Sequence, residues 1–295
     1  MSTFEFWGFW ITVFVYVIGT AAVLIGLVFK RERFVDSSFI ICFVGLAAHI
    51  FTIGARIVHT GHIPVASRYE NILTGAAVVM LFNLILVVRR RNLKPLLVFV
   101  GPFALLMLGY ALVNQPRYTT MSPVLDNLWM FVHIFFAWLA YGAYSVAAAV
   151  GVVQLISGRS RDTKVLDEKP TSSLLKRVPE APVLDDLMFR FIIFGFVTHM
   201  IMIASGSIWA RDLWGNYWSW DPVETWSLLS WLLYGIWIHL RLTLRWRGSR
   251  MAWMAIATLV TVLFAFWGTN LLGETSHSLN DLKLKAPVER ADPIR

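Results

Sequence analysis

The sequence predicts an all-α integral membrane protein, a polytopic bundle of about eight transmembrane helices, on three observations. Hydrophobic residues make up 57% of the 295-residue chain and charged residues only 15%, too apolar for a soluble domain of this length. Runs long enough to span a bilayer, about 20 residues each, occupy 6–29, 37–58, 71–88, 95–113, 127–156, 189–209, 225–240 and 252–271. None of them alternates in the manner of an outer-membrane strand, so a helical bundle is expected rather than a barrel.

Charge sets the expected orientation. Eighteen of the 26 Lys and Arg residues follow the first, third, fifth and seventh runs, and 8 lie on the other side. The positive-inside rule then places both termini outside the cytoplasm. The net charge of +8 follows from this bias. The basic residues flank membrane runs and carry no nucleic-acid motif, so no nucleic-acid partner is expected.

The first run has no basic leader and no small-residue cleavage site, and it reads as a retained helix assigned to packing. The second carries Cys42 and, near mid-depth, His49. Cys42 is the only cysteine, which excludes an internal disulfide and a C-x-x-C-H haem attachment site within this chain. The following outer loop offers His59, His62, Arg68 and Glu70. Arg56 and Arg68 are candidates to meet carboxylates bidentately, or are interfacial arginines that snorkel. The third and fourth runs are nearly uniform apolar scaffold.

The fifth run places His133 near its outer end, with Trp129, Ala137 and Tyr141 on the same face. A histidine within a bilayer is costly and is a functional candidate by default. Small Ala137 and Ala140 would let a planar ligand approach the helix. Segment 157–188 is polar, of mixed charge, and contains Pro170, Pro179 and Pro182, and it reads as a flexible cytoplasmic loop. The sixth run passes His199, read as a ligand or as a hydrogen-bonded structural histidine. It ends in small residues that suit close helix contact.

Residues 209–241 organise the rest. Seven of the 14 tryptophans fall in this stretch. Trp214, Gly215, Trp218, Trp220 and Asp221 sit between two apolar runs. Interfacial belts explain isolated tryptophans but do not require three in one short connection. Such a patch suits a large flat amphiphile, because indole offers a wide π face and an N–H. Asp221-Pro222-Val223-Glu224 also reads as a helix start, with Asp as N-cap and Glu at N3. The seventh run then descends to His239, about 22 Å from Glu224 along a helix. Gly235, one turn before His239, would open a slot for a bulky planar ligand, or His239 is an interfacial histidine bonded to a terminal carbonyl. The eighth run returns outward to GETSHSLN, which contains His277.

The stretch WGNYWSWDPVETW resembles the tryptophan-rich WWD signature, W-G-x-x-W-x-W-D, of haem-handling proteins in cytochrome c maturation. Its DPVETW continuation is most similar to the CcsA (ResC) family, the membrane subunit of the System II cytochrome c synthase. The likeness extends over residues 59–280, through GHIPVASRYE, the helix with His133, the SGSIWA approach and the HS pair at 277. It does not cover 1–35 or 157–188, and Leu279 stands where the family would have Tyr.

The resemblance implies specific roles. Haem b would be the transported substrate, with His133 and His277 as external axial ligands and His239 as ligand to a transmembrane haem. Trp214, Gly215, Trp218, Trp220 and Asp221 would form the platform, and Arg56 or Arg68 would contact propionates. The partners implied are a CcsB/ResB-like membrane protein and an apocytochrome c with its C-x-x-C-H. The membrane implied is a bacterial cytoplasmic membrane or a thylakoid.

No acid/base pair or nucleophile is evident, so the expected contribution is to position reactants as a holocytochrome c synthase component. The competing readings are a membrane electron-transfer protein, a transporter without haem, and a System I protein of the CcmC or CcmF type. The electron-transfer reading would pair His49 with His199 near mid-depth. The expected organisation is 1–58, two helices; 59–156, outer loop and three helices; 157–188, loop; 189–280, three helices with the tryptophan-rich connection; and 281–295, external tail.

Overall fold

The computed structural model describes residues 1–114, 118, 126–162 and 178–268. Among these residues there are eight α-helices and no strands: α1 (Thr3–Val28), α2 (Glu32–Thr60), α3 (Arg68–Arg89), α4 (Leu97–Val113), α5 (Leu128–Asp162), α6 (Ala181–Trp214), α7 (Pro222–Leu242) and α8 (Ser249–Leu263). A 3₁₀ turn, Arg91–Leu96, leads into α4, and a π turn, Phe264–Gly268, extends α8. The all-helical membrane architecture expected from composition is therefore what forms.

Seven of the helices are long and apolar enough to cross a membrane, α8 together with part of its π turn. Helix α7 is not among them. At 21 residues it has the length, but Trp226, Trp231, Trp237, His239 and Arg241 dilute its aliphatic content. That dilution is itself informative, because α7 carries two of the elements read as functional, the Asp221 start and His239.

The helices begin where their caps dictate. Ser2 accepts the Glu5 N–H at the start of α1. Ser67 and Glu70 form a reciprocal capping box on α3, and Asp221 and Glu224 form another on α7. Helix α6 starts at Ala181, well inside the stretch expected to be loop. Pro182 accounts for the difference: in a first helical turn its missing N–H removes no hydrogen bond, so it opens the helix instead of breaking it. Helix α5 likewise runs past 156 to Asp162.

Helix α5 is the centre of the bundle, packing against α3, α6 and α8, while α1 and α2 form a pair that meets α3 and α4. The α5 core is a run of small residues, Ala143 and Ala147 to Ala149, all 0% exposed, which lets neighbouring backbones approach closely. The outward faces are apolar: Trp7, Phe14 and Ile18 on α1 and Ile40, Phe51 and Val58 on α2 are exposed, the surface a lipid solvent requires. Buried hydroxyls of Thr12, Thr52, Ser230 and Thr258 donate to carbonyls one turn back, so each is satisfied within its own helix.

Candidate functional site

The α6–α7 connection is built from two backbone turns and one carboxylate. Trp214 is the last residue of α6, and Gly215 caps it at φ 82°, with its N–H on the Arg211 carbonyl at 2.8 Å. A side chain at that φ would be strained, so glycine is the residue that fits. At the other end, Glu224 Oε2 accepts from Ser219 N at 2.8 Å, Ser219 Oγ at 3.2 Å and Asp221 N at 3.3 Å. Asp221 Oδ1 accepts the Val223 N–H at 2.8 Å. Both acids hold the loop and start α7, which is the capping role read from the sequence.

Four indoles form two edge-to-face pairs around this turn. Trp209 and Trp214 have ring centroids 5.4 Å apart at 68°, and Trp218 and Trp220 are 5.9 Å apart at 86°. Trp214 thus belongs to the end of α6 and to a helical partner, whereas the sequence grouped it with Trp218 and Trp220 in one connection. Trp218 is half-buried, and its indole N–H is buried without a hydrogen-bond acceptor. Trp220 is 69% exposed at φ 58°, a left-handed backbone that a bulky residue adopts at a cost of ~1–2 kcal/mol. Strain at an exposed aromatic is an arrangement the fold retains against its own stability.

Beneath this turn lies a small apolar cluster. Val65 and Ala66 from the α2–α3 loop, Met130 and Ile134 from α5, and Trp209 pack together, with Trp214 against them. His133 stands beside Ile134 on α5 and is half-buried. Its Nδ1 is 2.8 Å from the Met202 carbonyl oxygen of α6. A carbonyl only accepts, so Nδ1 carries the proton, and in the neutral ring the lone pair sits on Nε2. Gly206 makes room for the ring: a Cβ there would lie 2.6 Å from His133 Nδ1. Tyr141, two turns along the same face, points its hydroxyl at Met202 Sδ, 3.8 Å away. Gly206 lies eight residues before Trp214, so His133 sits ~12 Å along α6 from its tryptophan end.

His239 lies in the last turn of α7 at the opposite end, exposed, with Nδ1 3.3 Å from Thr243 Oγ1. The space beside Gly235 holds the Phe196 ring. That ring stacks on Trp231 at 4.6 Å and 11°, and the Trp231 N–H donates to the Phe196 carbonyl at 3.1 Å. His277 lies outside the described residues.

Arg56 and Arg68 have different surroundings. Arg56 is 0% exposed, with Nε 2.9 Å from Glu70 Oε1 and Nη1 3.3 Å from Glu5 Oε1. Glu70 Oε2 also accepts the Ala66 and Ser67 N–H groups at 2.8 and 3.2 Å, so this buried cluster fixes the loop that supplies Val65 and Ala66. Tyr118 donates to Glu5 at 3.1 Å; partial desolvation, above all, raises its phenol above the ordinary value and keeps it a donor. Arg68, half-buried in the first turn of α3, is the more accessible of the two arginines. Glu5 escaped the sequence reading because it stands just before the first apolar run. An acid at the lip of an otherwise uncharged helix was the available signal.

The two mid-depth histidines have separate partners. His199 Nε2 is 3.1 Å from Ser227 Oγ and its Nδ1 3.4 Å from the Tyr144 hydroxyl, which is the structural bonding considered for it. His49 Nδ1 is 3.3 Å from the Tyr16 hydroxyl on α1. Each ring is therefore held by a different set of helices, His49 by α1 and His199 by α5 and α7.

The profile of the family described as cytochrome c assembly protein matches residues 65–277. The chain is 28% identical over 291 residues to the cytochrome c biogenesis protein CcsA of Guillardia theta, covering 91% of this chain and 94% of that protein. It is 31% identical over 225 residues to the CcsA of Chlamydomonas reinhardtii, covering 74% of this chain and 61% of the relative. Among solved structures, the cytochrome c heme lyase CcmF superposes with a TM-score of 0.65 at 17% identity. That superposition covers 95% of this chain but 48% of CcmF, so the chain spans about half the length of that structure and shares its fold.

Proposed function

The chain belongs to the cytochrome c assembly protein family, and from that premise we propose that it carries haem from the basic end of the bundle to the tryptophan-bearing end for attachment to apocytochrome c. At the coarser level it is a haem-handling membrane protein of cytochrome c biogenesis. In the finer reading haem b is cargo, the arginine-rich end faces the cytoplasm, and both termini lie outside. A bacterial cytoplasmic membrane, or a thylakoid, is the setting.

The observation that carries this reading is the bond from His133 to the Met202 carbonyl. It orients the imidazole and places its lone pair on Nε2, the state in which a histidine ligates iron. Tryptophan pairs stand one short helical stretch away and supply flat apolar faces for a macrocycle. The buried, unpartnered Trp218 N–H is a donor that a propionate oxygen would satisfy. His277 would give the second external ligand. His239, exposed at the far end, would receive haem with an opposite ligand from a CcsB/ResB-like partner. Arg68 is the propionate contact in this reading, while Arg56 is matched by two carboxylates.

The chain's chemical contribution is placement. A porphyrin held with its vinyl groups outward meets the two thiols of an apocytochrome C-x-x-C-H. Each S–H adds across a vinyl C=C: a C–S bond forms, the hydrogen goes to the other vinyl carbon, and no oxidant is consumed. Holding the reactants in register supplies much of such a rate.

The test is co-expression with a CcsB-like partner and a C-x-x-C-H reporter in cells lacking their own maturation system. The proposal expects covalent haem on the reporter that survives denaturation and depends on this chain. A reporter that gains covalent haem equally well without the chain would remove the proposal.

A further inference from the structure

The basic end of the bundle, where Arg245, Arg247 and Arg250 are exposed, holds a cavity of about 380 Å³ between α5, α6 and the start of α8. That size lies within the ~300–1,000 Å³ span of small-molecule sites. Its two ends differ in chemistry. The deep end is Gln154, 5% exposed, whose Nε2 donates to Asp185 Oδ1 at 3.0 Å. This bond fixes the amide and leaves Oε1 buried with no hydrogen-bond partner. Asp185, 4% exposed, also accepts the Gly248 N–H at 3.1 and 3.2 Å on its two oxygens. The deep end is thus an acceptor backed by a buried carboxylate, and it calls for a donor bearing positive charge.

The mouth has the opposite character. Helix α8 opens after Gly248 with no side chain capping its first turn, and Gly248 and Ser249 line the cavity. The N–H groups and dipole of a 15-residue helix attract an anion there. Trp253, 59% exposed, gives the wall an apolar surface that runs on toward the hydrocarbon. Since α8 with its π turn is long and apolar enough to cross a membrane and begins at Ser249, a bilayer around it would put this mouth at the level of lipid headgroups.

We infer that the cavity binds the headgroup of an aminophospholipid. The ammonium N–H groups meet Gln154 Oε1 in front of Asp185, the phosphodiester takes the first turn of α8, and an acyl chain lies along Trp253. A choline headgroup carries the same charges but has no N–H, so it cannot satisfy Gln154. Free phosphate would occupy only the mouth.

Native mass spectrometry of the full chain in detergent, titrated with equimolar phosphatidylethanolamine and phosphatidylcholine, tests this assignment. Wild type is expected to retain the ethanolamine lipid roughly tenfold over the choline lipid. Gln154→Leu brings that ratio to about one. Ser249→Asp, a substitution that favours a helix start and so tests the site without relying on the core, lowers retention of both lipids. Equal retention of the two lipids by wild type overturns the inference, as does a preference that survives in Gln154→Leu. Displacement of the lipid by equimolar inorganic phosphate would leave a simple anion site and equally overturn it.

Discussion

His133 on α5 and Met202 on α6 are joined by a 2.8 Å hydrogen bond from the imidazole Nδ1 to a main-chain carbonyl. The contact crosses the α5–α6 pair and exists because Gly206, one turn beyond Met202, has no side chain. A ring held in this way has one tautomer and one orientation, which is the preparation a metal-ligating histidine needs.

Gly206→Ala should therefore resemble loss of His133 itself. The added Cβ would fall 2.6 Å from Nδ1, so the ring must leave its bond with Met202. Expected are normal membrane abundance and at least about tenfold less covalent haem on a reporter cytochrome, the loss that follows when the group orienting a ligating histidine is displaced. Reporter haem at wild-type level would show that ring orientation is unimportant.

Trp220 separates stability from function. Replacing it by Gly relieves a left-handed backbone at φ 58°, so the variant should melt no earlier than wild type, with a gain of up to ~1–2 kcal/mol. It should nonetheless lose haem from the outer site. Thermal unfolding in detergent and a haem-to-protein ratio on the same sample measure both. A variant with full haem would assign Trp220 to the membrane interface alone.

The Arg56 cluster is structural. Glu70→Gln leaves the guanidinium buried with one carboxylate fewer and weakens the hold on the Val65–Ala66 loop. Breaking a buried pair costs ~3–5 kcal/mol, so a marked fall in unfolding temperature and abundance is expected, more than for Arg68→Gln. Equal effects of the two substitutions would contradict this ranking.

His239 lies at the opposite end from His133, so the two should report on different haems. His239→Ala should deplete the haem that enters at the basic end and leave the outer site competent toward haem supplied from outside. Difference spectra of membranes with and without added haem distinguish the two. An outer signal that does not return when haem is added from outside would contradict this assignment.

The fold was legible because the bilayer imposes a long apolar period that composition reveals directly. Helix starts were legible where caps are local, as at Asp221 and Glu224. The boundary at Ala181 was not, because Pro182 within a polar segment reads equally as a breaker or as a first-turn residue. Trp214 reads as part of the connection because the single local mark of the helix end is the Gly215 that follows it. The Glu5–Arg56–Glu70 cluster joins residues far apart in sequence. Such long-range pairing leaves no periodic trace, so Arg56 looked like an interfacial charge awaiting a ligand.

The most direct test is the optical and resonance Raman spectrum of the protein, purified with a CcsB-like partner, for wild type and His133→Ala, with His277→Ala alongside. The account predicts loss of the low-spin signal of the outer haem in both variants and its partial return with added imidazole, while the signal dependent on His239 persists. Unchanged spectra in both variants would contradict it.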